Sequence, residues 1–349
     1  GSGASPSQPP AAGTFAYGSE HTAHPLTNNQ MLVGPGTNQL TATLPNSSDV
    51  LNKQQILDIY YTVKATSAAM ADRLSQTNIS QLTYTSSDGT QHSTDLAVAT
   101  AENLAPDLKI RKGVLNSTRD SGSTAASYTP ARNYGGVVFA AAGSTGLPFL
   151  SGNLTSAAIS ESGGNGSTGA IKNNILNSNI SKLDAGDILR YVIVIENIGS
   201  SYRGAFNVQI RDEIPAGLSY HGNLAIVDGT GAALTYTKPD QTIATAADFF
   251  SASGVMIAEP GATAASGIDG VNGGAIDGYS ATSGRNIAVI TFDAVVEASA
   301  YSTLANNGGL ITNRAVIEDY ANSENSGVNT FLPGVKSISE TASLSLRTG

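Results

Sequence analysis

The sequence predicts an all-β protein made of two β-sandwich modules in series, with a long insertion, a Pro-rich N-terminal arm and a C-terminal extension strand. Two patterns lead to this prediction. Short segments alternate apolar and polar residues with a period of two, as half-buried strands do, and clusters of Gly, Pro, Asn and Ser separate them. With 349 residues, 40% of them hydrophobic, the chain is long enough for two domains or one large β domain.

Composition excludes several classes of protein. The chain carries 18 Lys and Arg against 27 Asp and Glu, a net charge of -9, so neither nucleic acid nor a basic membrane patch fits as a partner. No apolar run approaches the roughly 20 residues that cross a bilayer, so no membrane span is expected. The absence of cysteine excludes disulfides, thiolate metal sites and thiol nucleophiles, and a Cys-free chain rich in Ser, Thr and Asn suits a microbial cell exterior.

Changes in composition place the domain boundaries. Residues 1–50, with Pro spread among Gly, Ser, Thr and Asn, are predicted to form an extended arm with a few edge strands. Residues 51–104 are predicted to form an N-terminal β-sandwich module, which is incomplete unless the arm contributes to it. Residues 105–335 form the second sandwich, with a Gly/Ser/Asn-rich insertion at 116–180 whose ends should lie close together. Residues 336–349 form a tail strand.

The clearest strands lie in the second module. In residues 188–197 the side chains of Leu189, Tyr191 and Ile193 share one face, and residues 206–212, 285–296 and 310–318 alternate in the same way. We expect each of these strands to have one inward face.

Four motifs in this module resemble a known family. They are Asp184-Ala-Gly-Asp187, the run from Tyr191 to Gly199, Asp212-Glu-Ile-Pro215-Ala-Gly217-Leu218, and Thr312-Asn313-Arg-Ala315-Val316. The series resembles the conserved surface-repeat domain known as domain of unknown function 11, an immunoglobulin-like β-sandwich repeated in large prokaryotic surface proteins. The resemblance covers residues 105 to about 333 and implies a stalk, filament or adhesin module outside the cell, without recognised catalytic residues.

The end of the chain repeats the start of this module. Residues 105–113, with Leu108, Ile110 and Arg111, are echoed by residues 341–349, with Leu344, Leu346 and Arg347 in the same register. A module-opening strand needs a partner for its backbone groups, so we expect this segment to be an assembly strand donated to a second copy of the chain, which would give head-to-tail fibres. The alternative is a truncated next repeat that leaves a frayed tail.

Three polar residues on inward faces form a candidate chemical site. By alternation, Lys112, Asp212 and Asn313 all point into the sandwich. A buried lysine near an asparagine, with a protonated aspartic acid between them, can form an intramolecular isopeptide bond, because desolvation keeps the amine neutral and nucleophilic. The simpler interpretation, which we prefer on sequence alone, is that Lys112 extends to solvent, Asp212 caps a turn and Asn313 binds backbone.

Two further kinds of surface site can be named. Asn-x-Ser/Thr sequons are candidate glycosylation sites; they begin at Asn46, Asn78, Asn116, Asn153, Asn165 and Asn179. Asp269, Asn272 and Asp277 offer oxygen ligands for calcium, the one candidate cofactor, although a solvated Gly-rich turn is the simpler interpretation.

The sequence therefore predicts a non-enzymatic structural protein of a microbial surface. In the first version it is a filament subunit that assembles with itself through the C-terminal strand. In the second it is a stalk segment of a larger adhesin. A different class, a module that binds cell-surface glycans or a receptor through its inserted loops, is weakened by the scarcity of aromatic residues, 6% with no Trp.

Overall fold

The computed structural model of this chain describes residues 73–86, 88–159, 176–257, 274–306, 308–325, 328–331 and 338–347, together with five short strands nearer the N-terminus. The chain divides into two compact units, Gly1–Ser67 and Ala68–Gly349. The predicted all-β class is confirmed, because strands predominate among the described residues. Helices in the described part have at most seven residues, and none of them is long and apolar enough to cross a membrane.

The first unit contains short antiparallel strands. Strands β1, β2 and β5 form a three-stranded sheet in the order β2-β1-β5, and β3 pairs with β4. The five strands are β1 (Thr14–Tyr17), β2 (Thr22–Pro25), β3 (Met31–Val33), β4 (Leu40–Ala42) and β5 (Leu57–Ile59). Within the predicted arm, β1 thus pairs with β5, which lies beyond residue 50.

A two-stranded ribbon opens the described part of the second unit. Strand β6 pairs with β9 and β7 with β8, and the side chains of all four strands are exposed. The strands are β6 (Ser75–Ser80), β7 (Thr83–Thr85), β8 (Gln91–Ser93) and β9 (Ala97–Glu102). The sandwich predicted for residues 51–104 stays a prediction, since most of its first half lies outside the described residues.

The second module is a two-sheet sandwich. One sheet has four antiparallel strands in the order β10-β15-β20-β17. They are β10 (Leu108–Ser117), β15 (Ile188–Asn197), β17 (Leu218–Asp228) and β20 (Ile287–Val296). The strands predicted at residues 188–197 and 285–296 are confirmed within two residues.

The opposite sheet is larger and has the order β11-β14-β23-β21-β16-β19-β18, with β22 paired to β21. Its strands are β11 (Ser127–Thr129), β14 (Asn179–Leu183), β16 (Phe206–Glu213), β18 (Tyr236–Thr237), β19 (Val255–Ile257), β21 (Ile311–Asn325), β22 (Val328–Phe331) and β23 (Ile338–Leu346). Among the described residues, three short helices lie in the connections: α1 (Ser156–Ile159), α2 (Ala246–Phe249) and α3 (Ala300–Asn306). The inward faces of the two sheets share one apolar core, with Ile193 from the first sheet and Ile210 and Ile317 from the second.

The insertion forms a third layer on the four-stranded sheet. Its short hairpin, β12 (Val138–Phe139) with β13 (Phe149–Ser151), and helix α1 pack on the outward side chains of that sheet in a second apolar core. Val192 and Val194 of β15 are therefore buried as well, and the prediction of a single inward face is wrong for this strand. The ends of the insertion meet as expected, since the Val114 amide donates to the Ser178 carbonyl at 2.8 Å.

A buried ion pair ties this layer to the sheet. The guanidinium of Arg190 on β15 donates to both carboxylate oxygens of Asp293 on β20, at 2.7 and 2.9 Å, and to the Ser144 carbonyl of the insertion at 2.7 Å. The Gly143 amide and the Asn223 side chain donate to the same carboxylate. Every partner of this pair is supplied from within the fold, which is what buried charges require.

The C-terminal strand corrects a prediction. Strand β23 is not left without a partner in its own chain: it lies between β14, which it pairs in parallel, and β21, which it pairs antiparallel. Leu344 is fully buried in the shared core, Leu346 packs at its edge, and Arg347 forms an ion pair with Asp184 at 3.6 Å. The sequence echo is real, but the strand completes its own sandwich because its alternating apolar side chains fit a gap between two strands of the same sheet.

Candidate cross-linking site between the two sheets

Three neighbouring strands position the predicted polar residues. Lys112 lies in the middle of β10, opposite Ile193 of β15, with its side chain directed at the second sheet. Asp212 lies near the end of β16, opposite Ala315 of β21. Asn313 precedes Ala315 by two residues, so it lies on the same face of β21 as a diagonal neighbour of Asp212. The strand register therefore brings together groups from both sheets.

All three side chains are buried. Lys112 and Asp212 are each 1% exposed, and Asn313 is fully buried. The Lys112 Nζ donates a hydrogen bond to Asp212 Oδ2 and lies 5.0 Å from the centroid of the Tyr191 ring and 5.2 Å from that of Phe292. These two rings are stacked on each other at 5.3 Å. The Lys112 amine thus lies near two aromatic rings and donates to one carboxyl group.

Burial shifts the protonation of this pair. Desolvation lowers the pKa of the Lys112 amine, and the attraction of Asp212 only partly opposes this effect. Desolvation also raises the pKa of the Asp212 carboxyl, against the opposing effects of Lys112 and Asn313. Both shifts favour the neutral forms, an amine beside a carboxylic acid, because charges are costly in an apolar interior.

The site concentrates polar atoms that lack hydrogen-bond partners. Among the described residues, eight buried side-chain atoms have none, and four of these belong to this cluster: Asp212 Oδ1, Tyr191 OH, and both Nδ2 and Oδ1 of Asn313. Native interiors rarely leave such groups unpaired, and each exception calls for an explanation. Here the unpaired amide stands beside the Asp212 carboxyl and the Tyr191 hydroxyl.

The simpler interpretation of the three residues does not hold. Lys112 does not extend to solvent, since its amine is enclosed between the sheets. Asp212 lies within a strand rather than at a turn, and the Asn313 side chain has no hydrogen bond to backbone. Alternation predicted the inward direction of all three, and register, which the sequence does not fix, brings them together.

Sequence reasoning missed the aromatic part of the site. Tyr191 was assigned to an inward face with Leu189 and Ile193, but as a core residue only. The signal that could have found it is its position on the strand that pairs with β10, two places from the residue opposite Lys112. A tyrosine among aliphatic inward residues indicates a place where a hydroxyl has a polar neighbour.

The cluster contains the groups that amide exchange needs. A neutral amine is a nucleophile, a carboxylic acid carries protons, and a side-chain carboxamide is an electrophile. Among the described residues, no group of three or more His, Asp or Glu side chains that could hold a metal is found.

The candidate glycosylation sites divide into three groups. Asn116 is buried, and its Nδ2 donates to the Ala140 carbonyl at 3.1 Å, so this candidate is wrong for the folded chain. Asn78, Asn153 and Asn179 are exposed and stay predictions. Asn46 and Asn165 lie outside the described residues.

Of the three predicted calcium ligands, Asp277 lies among the described residues. Asp269 and Asn272 lie outside the described residues, so the set cannot be assembled. Asp277 uses its backbone amide and carbonyl to bind Arg285 and Asn197, and burial raises the pKa of its carboxyl group to about 6. Arg285 opposes this shift and Asp228 adds to it.

Comparisons with known proteins identify no family for this chain. No family model matches it, and no curated protein matches it. Among solved structures, it is similar to the full-length major pilin RrgB from Streptococcus pneumoniae, with 14% sequence identity and a TM-score of 0.28 over 94% of this chain and 46% of that chain. The chain thus spans less than half of the length of that protein.

Proposed function

We propose that this chain is a structural protein of a microbial cell surface, a module of a filament or stalk, whose second sandwich locks itself with an isopeptide bond between Lys112 and Asn313. One observation carries the proposal: the enclosed Lys112 amine lies against the Asp212 carboxyl group and beside an Asn313 amide that has no other partner. The chain is its own substrate and turns over no other molecule.

The bond forms by exchange of one amide for another. With Lys112 as the neutral amine and Asp212 as the carboxylic acid, the Nζ lone pair attacks Cγ of Asn313. The tetrahedral intermediate collapses with cleavage of the Cγ–Nδ2 bond as Asp212 gives its proton to the leaving nitrogen. The Asp212 carboxylate then takes the proton that Nζ loses, so Asp212 ends as a carboxylic acid again. The products are a Lys112–Asn313 amide and one molecule of ammonia, so no oxidant or cofactor is consumed.

A structural role follows from what this bond would join. Lys112 is on β10 of the four-stranded sheet and Asn313 is on β21 of the opposite sheet, so the bond would fasten the two layers of the sandwich. A chain without cysteine has no disulfide to do this. Such a fastening serves a protein that bears tension, which agrees with the resemblance to the immunoglobulin-like surface-repeat family and with an extracellular location.

Assembly into a filament is a separate part of the proposal. Because β23 is already paired on both sides, copies can join through it only by exchanging the strand, and the exchange must replace the pairing with β14 and β21. Negative-stain microscopy and size-exclusion chromatography over a wide concentration range test this. Filaments that disappear when residues 341–349 are removed support strand exchange, and dispersed particles at every concentration support a stalk module.

Intact-mass spectrometry tests the cross-link. We expect the purified chain to be lighter than its sequence mass by one ammonia, about 17 Da, and peptide mapping to find Lys112 and Asn313 in one branched peptide. Lys112→Met and Asn313→Ala should have their full sequence masses. Asp212→Asn should remain largely uncross-linked because the proton carrier is lost.

Two controls make this result specific. Lys109→Met removes an exposed lysine from the same strand and should leave the mass loss intact. A succinimide at an Asn-Gly pair such as Asn307-Gly308 also releases ammonia, but it would persist in Lys112→Met. An unchanged mass in the wild-type chain, or a loss that survives in Lys112→Met, contradicts the proposal.

A further inference from the structure

Tyr191 contributes a hydroxyl group to the site that the exchange described above does not use. Its side chain is fully buried, and the hydroxyl has no hydrogen-bond partner. The Asp212 carboxyl and the Asn313 amide both lie close enough to the hydroxyl to affect its pKa. Phe292, stacked on it, fills a similar volume without a hydroxyl, so apolar packing alone does not require one here.

The two ends of the Asn313 amide need different neighbours during the reaction. The nitrogen must face the acid that protonates it as it leaves, and Asp212 is that acid. The oxygen gains negative charge when the amine adds to Cγ, and it needs a donor already in place. A Tyr hydroxyl is such a donor, and it keeps its proton at this site because burial raises its pKa.

We infer, on the basis of the proposed cross-link, that Tyr191 is the oxyanion donor of the reaction, its hydroxyl donating a hydrogen bond to Asn313 Oδ1 in the tetrahedral intermediate. When Nζ adds to Cγ, the carbonyl π electrons move to Oδ1 and the hydroxyl holds that charge. When the intermediate collapses, the electrons return to re-form the carbonyl and Nδ2 leaves with the proton from Asp212. Tyr191 gives up no proton overall, so the balance of the reaction is unchanged.

The rate of ammonia loss tests this role. The full chain is made in a short cell-free synthesis pulse, samples are quenched in denaturant at intervals, and the cross-linked fraction is measured by intact mass. Tyr191→Phe should form the bond on the order of 10²-fold more slowly than the wild type, since one oxyanion donor is worth about that factor. The bond should still be the one between Lys112 and Asn313.

Tyr320→Phe is the matched control. Tyr320 is also buried in this core, but its hydroxyl lies 3.3 Å from the Leu108 amide, which donates to it. Its loss removes a buried hydroxyl without touching the reacting amide, so the rate should stay within about 3-fold of the wild type. Thermal unfolding of both substitutions in a Lys112→Met background, where no bond forms, measures their effect on folding alone.

The outcomes separate this inference from the proposed function. If the wild type loses ammonia and Tyr191→Phe is as fast as Tyr320→Phe, Tyr191 is not the donor and the cross-link stands. If Tyr191→Phe prevents folding in the Lys112→Met background, its role is in packing and the inference is overturned. If the wild type never loses ammonia, the proposed function fails, and this inference fails with it.

Discussion

Enclosing a lysine and an aspartic acid in an apolar core is costly, and the proposed cross-link would relieve that cost. A buried ion pair must overcome the desolvation of both partners, and replacing it with neutral groups is often favourable. Conversion of Lys112 and Asn313 to an amide, as proposed, would leave no ionisable amine in the core and Asp212 as a neutral acid. The same burial that disfavours the charges therefore favours the product.

Asp277 gives a prediction about pH. The pKa of its carboxyl group is raised to about 6 from a usual 3.8, so between these values the folded chain holds the proton more tightly than the unfolded chain. The free energy of unfolding should therefore fall as pH rises through this window. Because the group is partly exposed, we expect Asp277→Asn to stabilise the protein at pH 7 by only about 1–2 kcal/mol, and not at all below pH ~4.

Denaturant titrations at several pH values measure this difference. Asp240→Asn is the control, because Asp240 is an exposed turn residue whose pKa is lowered by hydrogen bonds from Thr242, and its removal should give no gain at pH 7. Equal stability of Asp277→Asn and the wild type at pH 7 would contradict the argument.

For single residues, the sequence predicts which face of a strand a side chain lies on, but not how far it is from side chains on other strands. Alternation along three strands correctly turned Lys112, Asp212 and Asn313 inward. Whether the three side chains meet depends on the register of strands that are about 200 residues apart along the chain. A shift of one strand by two residues would leave each side chain on the same face but would move the three apart. The preference for a solvent-exposed Lys112 was reasonable for a lysine and wrong because the neighbouring layer encloses it.

Among the elements, β15 and β23 show why neighbours decide what a strand becomes. Both segments are apolar or alternate apolar and polar residues, so the sequence predicts that each is a strand. It could not say that the insertion would cover the outer face of β15, since short apolar pieces separated by glycine carry little periodicity. Nor could the sequence distinguish a strand that pairs within its own chain from one that is donated to a second copy, since both need the same alternation of apolar side chains.

The pairing of β23 within its own chain gives a prediction about stability. Leu344→Ala should lower the free energy of unfolding by about 2–5 kcal/mol, the cost of removing a fully buried leucine, and Leu346→Ala should cost less because that side chain is only partly buried. Unfolding midpoints should not change with protein concentration as long as β23 pairs with β14 and β21 of its own chain. A midpoint that rises with concentration would show that the strand is supplied by another molecule.

For the whole molecule, the proposed bond determines which residues carry tension. Force applied on either side of the module would enter β10 just before Lys112, cross to Asn313 and leave along β21 and β23, so the residues between 112 and 313 would not extend. In single-molecule pulling of the wild type we expect only the segment after Asn313 to lengthen. Asn313→Ala should release about 200 further residues, a gain on the order of 700 Å in contour length.

This measurement needs handles placed before Leu108 and after Arg347. Lys109→Met, which keeps the bond in our proposal, should extend like the wild type. Release of the full length from a wild-type chain would contradict the proposed load path, even if ammonia has been lost elsewhere.

Lys112 and Asn313 belong to strands that are far apart along the chain and meet only when both sheets have closed on the core. During synthesis or passage through a narrow translocation pore, the unfolded polypeptide would therefore not yet carry the cross-link, and no covalent ring would block its passage. In the proposal, ring closure waits until folding is complete, works in a reducing or an oxidising medium alike, and is not undone by dilution or by loss of a bound ion. The order of strands in this sandwich would thus make the proposed fastening late, autonomous and permanent.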